Sequence, residues 1–162
     1  PLPLTLLLAL PRPKSLKKAL PAAITMGVKH IVLMRTWRVE PSYWQSPVLA
    51  PASLRELSIL ALEQARDTIM PRIELHTRFK PFVEDEVPAL IEGRRALVAH
   101  PGAATPCPRG LDTPAVLVIG PEGGLIRYEL ELLAATGFKP VSLGPRPLRV
   151  EQAVPALIGR MY

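Results

Sequence analysis

The amino-acid sequence predicts an α/β domain, a mainly parallel sheet with helices on both faces. Short apolar runs alternate with segments of helical period along the whole chain, which is the pattern of strands joined by helical crossovers. The chain has 162 residues, 48% of them hydrophobic, enough for one domain with a sizeable core. Near its C-terminal end, two apolar runs lead into glycine-bearing turns: Gly120-Pro121-Glu122-Gly123-Gly124, and Leu143-Gly144-Pro145-Arg146-Pro147-Leu148-Arg149. Ligands of α/β sheets bind at the carboxyl ends of neighbouring strands, where glycine lets a backbone approach with its N–H groups bare. Two such turns in series predict one site.

Taken in order, Leu4–Leu10 reads as a buried strand. A helix follows from about Ser15 to Met26, with Ser15 placed to cap it, Gly27 to close it and Pro21 to kink or split it. His30–Met34 is a strand, apolar and β-branched at its start. Arg35–Pro51 is a long loop that carries Trp37, Tyr43 and Trp44 among Arg35 and Arg38. Aromatics interleaved with arginines can stack on unpaired bases while the charges hold phosphates, and such a loop can equally be a lid over its own domain. Ser53, with Glu56 three residues on, forms a capping box for a helix to about Arg66. Its Leu54, Leu57, Leu60 and Ala61 recur at helical spacing as core. Arg72–His76 is a short strand, Phe82–Ile91 a helix interrupted at Pro88, and Arg94–Ala99 a strand that ends in His100-Pro101. After a loop from Gly102 to Pro114 come the strand Val116–Ile119, the first glycine turn, a helix, another strand and the second glycine turn. In the last helix Pro155 cannot donate to the carbonyl of Glu151, so the helix should begin late or bend there. Val154, Leu157, Ile158 and Met161 make an apolar stripe on it, suited to a core or to a second copy of the chain.

Charge is distributed unevenly. The net charge is +6, yet residues 1–39 hold Arg12, Lys14, Lys17, Lys18, Lys29, Arg35 and Arg38 and no acidic side chain, which leaves the remainder close to neutral. A local basic face of this kind attracts phosphate backbones, although a solvated lysine face has the same composition. The single cysteine, Cys107, excludes an intrachain disulfide and any multi-cysteine zinc site and is compatible with a reducing compartment such as the cytoplasm. No metal is implied. The apolar start, Leu2–Leu10, is too short for a membrane helix and lacks the charged leader and cleavage pattern of a signal peptide. The chain opens on Pro1 rather than methionine, which implies that something upstream is absent. Proline is abundant, 20 residues, but with 10 glycines the chain stays below low-complexity composition.

The motif pair carries a family resemblance. Ile-Gly-Pro-Glu-Gly-Gly at 119–124, a short helix, and then Leu-Gly-x-x-x-Leu-Arg-x-Glu at 143–151 resembles the C-terminal half of RsmE-type 16S ribosomal RNA uridine-N3 methyltransferases, of the SPOUT superfamily. Similarity extends upstream through Gly27-Val28, Glu63-Gln64-Ala65, Pro71-Arg72-Ile73 and Ala99-His100-Pro101. The resemblance implies an S-adenosylmethionine-dependent enzyme that methylates N3 of a uridine in 16S ribosomal RNA, with ribosomal RNA or the small ribosomal subunit as partner. It also implies a homodimer and a deep trefoil knot made where the segment after Gly144 threads the loop around Gly120–Gly124. Residues 1–162 would be the catalytic domain, without the family's N-terminal PUA-like barrel.

For the site, the resemblance implies cofactor contacts from Ala99, His100, Pro101, Ile119, Gly120, Pro121, Glu122, Gly123, Gly124, Leu143, Gly144 and Leu148. Backbone groups there would read an adenine edge, and Leu143 and Leu148 would sandwich its face. RNA contacts fall to Arg12, Lys14, Lys17, Lys18, Arg35 and Arg38. Methylating N3 of uridine requires loss of the imide proton, which needs a cation facing the flanking carbonyl oxygens or a base. Arg149 is the candidate for the first role and Glu151 for the second, while an arginine–glutamate pair that merely fixes the turn accounts for Glu151 as well. His100 is placed as a hydrogen-bonding loop residue. Where family members commonly read Leu-Arg-Thr-Glu-Thr, this chain has Val150 and Gln152, so two hydroxyls are missing. That departure keeps open a catalytically weakened RNA- or partner-binding module of the same fold. A nucleotide-binding regulatory domain is the third reading, although the chain has neither the Gly-x-x-x-x-Gly-Lys nor the Gly-x-Gly-x-x-Gly phosphate motif, and Glu122 in the turn would repel a phosphate.

Overall fold

The computed structural model describes residues 1–162. Six strands form one sheet in the order β3-β2-β1-β5-β4-β6. They are β1 (Leu4–Ala9), β2 (His30–Met34), β3 (Arg72–His76), β4 (Arg95–Ala99), β5 (Ala115–Ile119) and β6 (Lys139–Val141). Every pairing is parallel. The helices are α1 (Pro13–Thr25), α2 (Pro51–Ala65), the short α3 (Phe79–Pro81), α4 (Val87–Ile91), α5 (Arg127–Thr136) and α6 (Val150–Met161). The central strands β1 and β5 are buried along their whole length, as expected of parallel strands covered on both faces. α1 packs against both α2 and α6, while α5 packs on residues 82–86. No helix is long and apolar enough to cross a membrane.

Several local expectations are corrected. Ser15 does not cap α1: the helix starts at Pro13 behind Arg12, and Ser15 is buried inside its first turn. Pro-initiated entry also replaces the predicted capping box at Ser53, since α2 begins at Pro51 with Ala50 before it. Proline at the first helical position gives up an N–H that the helix would leave unpaired and has its φ already set for the helix, so it fixes both starts, which carry no side-chain cap. α1 runs unbroken through Pro21, because the carbonyl left free, that of Lys17, lies on an exposed face where water can satisfy it. On α2, Leu54 and Ala61 are core and Leu57 is half-buried, but Leu60 is 56% exposed. The expected helix over 82–91 is a π-helical turn, Phe82–Glu86, followed by α4, with Pro88 in the first turn of α4. α6 begins at Val150 and takes Pro155 into its interior, which overturns the expected late start.

Val154, Leu157, Ile158 and Met161 are all buried within the single chain. The apolar stripe of α6 is therefore core against α1, and it offers nothing to a second copy.

The loop between β4 and β5 lies across the end of α6. Arg160 Nε donates to the carbonyl of Cys107 at 2.9 Å, and Leu111 N–H donates to that of Met161 at 2.5 Å. β6 sits outside β4, and its extension at Ser142 accepts from Cys107 N–H and donates to Thr105. The loop between β4 and β5 thus contacts both of the last two elements.

Candidate functional site

Parallel strands put all their carboxyl ends on one edge of the sheet, and there the ends of β1, β4, β5 and β6 surround a cleft of about 460 Å³. Of the residues assigned to a ligand from the sequence, Ala99, His100, Pro101, Ile119, Gly120, Pro121, Glu122, Gly124, Leu143, Gly144, Leu148 and Arg149 line it. Both glycine turns contribute to the same wall. Arg12, Leu125, Ser142, Arg146, Val150 and Ala153 also line the cleft, and the sequence reading did not assign them a place there, apart from Arg12 as an RNA contact.

The segment 143–149 presents its backbone to the cleft. The N–H groups of Leu143, Gly144, Arg146 and Leu148 donate no hydrogen bond within the chain, and Pro145 and Pro147 have none to donate. Unsatisfied donors on the wall of a cleft need water or a ligand. The segment bends at Leu143, Pro145 and Arg146 between strand and helix, and its two prolines keep it out of regular hydrogen-bonded structure. Gly144 adopts φ +116°, and a Cβ built there meets nothing within 4 Å.

The first turn is braced from behind. Gly123 does not line the cleft, which corrects its assignment there. Its bare Cα lies under the Arg38 side chain, where a Cβ would come within 3.1 Å of Arg38 Cδ, and Arg38 Nη1 donates to the Gly123 carbonyl at 2.6 Å. Gly120 is glycine because a Cβ would stand 3.0 Å from Leu125 Cγ. Glu122 accepts from Arg12 N–H at 2.9 Å, so its carboxylate is turned to the start of α1.

A group the sequence reading passed over is Glu129, in the first turn of α5. It is 3% exposed, and it accepts from the N–H of Trp37 at 2.6 Å through Oε1 and from that of Ile126 at 2.9 Å through Oε2. One carboxylate thereby joins the loop after β2 to the end of the glycine turn. An acidic residue three positions after the helix-entry residue Ile126 is the signal that could have found it.

Glu151 stands outside the cleft, which corrects its placement at the reacting atoms. It belongs to the half-buried face of α6 toward α1. Its own backbone N–H, opposed in part by desolvation, holds its carboxyl below the ordinary carboxylate range, helped by the nearby Ser15 hydroxyl and the charges of Lys18 and Arg149, while its Oε2 is buried without a hydrogen-bond partner. A carboxylate stabilised in that way is a poor base.

Of the basic residues, Arg12 reaches the cleft, Arg38 braces Gly123, and Arg35 lines a second hollow beside it. Lys14, Lys17 and Lys18 are exposed along α1. The structure brings together no group of three or more His, Cys, Asp or Glu side chains able to hold a metal ion.

Comparison with known proteins adds independent findings. The family model described as "RNA methyltransferase domain" matches residues 1–162. A ribosomal RNA small subunit methyltransferase E from Synechocystis is 32% identical over 94% of this chain and 50% of its own length. The protein of the same name from Treponema pallidum is 29% identical over 93% of this chain and 58% of its own. The chain thus spans about half the length of the curated relatives it matches. The fold matches a crystal structure of a ribosomal RNA small subunit methyltransferase E from Neisseria gonorrhoeae bound to S-adenosyl methionine. That match has a TM-score of 0.80 at 24% identity and covers 98% of this chain and 64% of that one.

Proposed function

Because the chain belongs to the RNA methyltransferase domain family, we propose that it transfers a methyl group from S-adenosylmethionine to N3 of a uridine in 16S ribosomal RNA, in the small ribosomal subunit or its RNA. The carrying observation is the single cleft in which both glycine turns, four unpaired backbone N–H groups and Arg149 meet. Its volume suits a nucleoside-sized ligand.

The residues fit the cofactor. The free donors at Leu143, Gly144 and Leu148 would read the adenine and ribose, Leu143 and Leu148 would cover the base, and Gly120 and Gly124 leave room for the rest. When bound, S-adenosylmethionine supplies a methyl group made electrophilic by its sulfonium. Arg149 then faces the uracil carbonyl oxygens and stabilises the negative charge left as the N3 proton departs to water at the open mouth. Glu151, outside the cleft, takes no proton, and the turn between segment 143–149 and α6 is held by Gln152 through the Arg149 N–H.

The geometry beneath the cleft supports the finer reading of the fold as a SPOUT-type domain with a deep trefoil knot. β6 lies beyond β4, α6 returns to α1, and the loop 102–114 closes over both. Knots are very rare among folds, and such a crossing would join the two glycine turns into one wall. A homodimer belongs to the same proposal, but its contact has to use apolar surface other than the buried face of α6, such as the exposed Ile59 and Leu60 of α2. Sedimentation at micromolar concentration tests it, and a monomer alone counts against it.

Calorimetry with S-adenosylhomocysteine tests the function. Binding at about one molecule per chain is the expected result. Absence of binding favours the module without catalysis, and preference for a nucleoside phosphate favours the regulatory domain. For RNA, Lys14, Lys17 and Lys18 changed together to glutamine should weaken binding and flatten its salt dependence, by roughly 0.7 in the log–log slope for each single-strand phosphate that is no longer neutralised. S-adenosylhomocysteine affinity should not change. If the slope holds, the lysines of α1 are a solvated face and RNA lies elsewhere.

A further inference from the structure

Beside the cleft lies a second hollow of about 480 Å³, walled by Arg35, Trp37, Val39, Lys80, Tyr128 and Glu129. We propose that it is a subsite for the unpaired nucleotides that flank the methylated base, with Trp37 and Tyr128 as stacking surfaces and Arg35 and Lys80 as phosphate contacts. This deepens the methyltransferase reading and rests on it.

The aromatic residues of the loop after β2 divide in two. Tyr43 and Trp44 are half-buried and pack on the core, which is what a lid would do. Trp37 is 80% exposed. Its exposure is built into the loop: Thr36 and Val39 on either side are each 3% exposed, and the Trp37 N–H is held by buried Glu129. An indole presented to water from a fixed backbone is a preorganised contact surface. Tyr128, 49% exposed, stands on the first turn of α5 and lines the same hollow. The two rings do not stack on each other, so each keeps its exposed surface for a base.

Charge complementarity selects the partner. Arg35 is exposed and belongs to no ion pair, and Lys80 has only the exposed Glu84 at 3.9 Å. The one carboxylate in the hollow, Glu129, is satisfied by two backbone N–H groups. Aromatic surface bordered by exposed cations suits single-stranded nucleic acid, in which bases stack on rings while phosphates meet charges. The location agrees. Leu125 lines the cleft and Ile126, the next residue, lines the hollow. A base that enters the cleft must leave its stack, which frees the neighbouring bases to find another surface.

Binding of a short oligouridylate, compared with an abasic ribose-phosphate chain of the same length, tests the subsite. Trp37→Ala should weaken oligouridylate binding roughly 10-fold and leave the abasic chain unaffected, whereas Trp37→Phe should keep most of the affinity. In a Trp44→Phe background, where Trp37 is the remaining tryptophan, oligouridylate should quench the fluorescence and the abasic chain should not. No loss with Trp37→Ala, or equal loss for both oligomers, overturns the subsite. So does a shift in sedimentation on Trp37→Ala, which would assign the ring to a protein contact. Calorimetry on the same protein separates the two levels. S-adenosylhomocysteine binding without a base-dependent effect of Trp37 removes this subsite alone, and no such binding removes the methyltransferase reading with it.

Discussion

Methyl transfer by the Arg149→Ala protein should be slower by about two to three orders of magnitude, the loss seen when a donor to developing negative charge is removed. S-adenosylhomocysteine affinity should change little. The distinction follows from how Arg149 is held. Its backbone begins α6, with its carbonyl accepting from Gln152 N–H at 2.9 Å and Ala153 N–H at 2.8 Å, and its N–H donating to Gln152 Oε1 at 3.3 Å. None of these needs the guanidinium, which makes no capping hydrogen bond and no ion pair and is exposed at the cleft. Alanine therefore leaves the frame intact and removes only the charge. Single-turnover rates with small-subunit RNA as substrate, set beside calorimetry, read the two quantities separately. A parallel fall in both would make Arg149 a cofactor-holding residue, and an unchanged rate would remove it from the chemistry.

Gly144→Val should abolish S-adenosylhomocysteine binding while the protein stays folded. The backbone conformation there, φ +116°, is one that L side chains rarely adopt, so strain of roughly 1–3 kcal/mol is expected. A Cβ has no steric obstacle in the chain itself, because the space in front of Gly144 is the cleft. The side chain thus occupies room the ligand needs and shifts a segment whose N–H groups are the donors. Gly123→Ala makes the contrast. It collides with Arg38 outside the cleft, so it should lower the melting temperature and leave affinity largely intact. Parent affinity in a folded Gly144→Val protein would mean that the ligand site is elsewhere.

Strands were the most legible part of this chain. His30–Met34 and Arg72–His76 are predicted to the residue, the first as a continuous apolar run that is buried, the second as the short polar–apolar alternation of a half-exposed edge strand. Helix starts were misread where a serine stood near a proline. Proline at the first helical position and a capping serine two residues on are competing start signals, and a single sequence does not rank them against each other. The position of the cleft was legible through Gly120, Gly124, Gly144 and Arg149, which line it, because turns at the carboxyl ends of parallel strands share one edge of the sheet. Gly123 and Glu151 were misplaced for a different reason. Which way a side chain on a turn faces depends on packing from residues far away in sequence, Arg38 in one case and α1 in the other. Glu129 was passed over because its partner, the N–H of Trp37, is distant in the chain and carries no sequence signal.

The positions of the chain ends bear on how the molecule can be tethered. Leu2 N–H donates to the carbonyl of Gly27 just before β2, and the hydroxyl of the final residue, Tyr162, lies 3.3 Å from the carbonyl oxygens of Pro3 and Thr113, just before β1 and β5, either of which can accept its one hydrogen. Both ends therefore leave from the amino edge of the sheet, a full strand length of roughly 20 Å from the cleft. A tag, dye or surface linker attached at Pro1 or Tyr162 faces away from the mouth and leaves it open. Any protein segment joined at either end could touch a nucleotide in the cleft only by reaching around the whole height of the sheet.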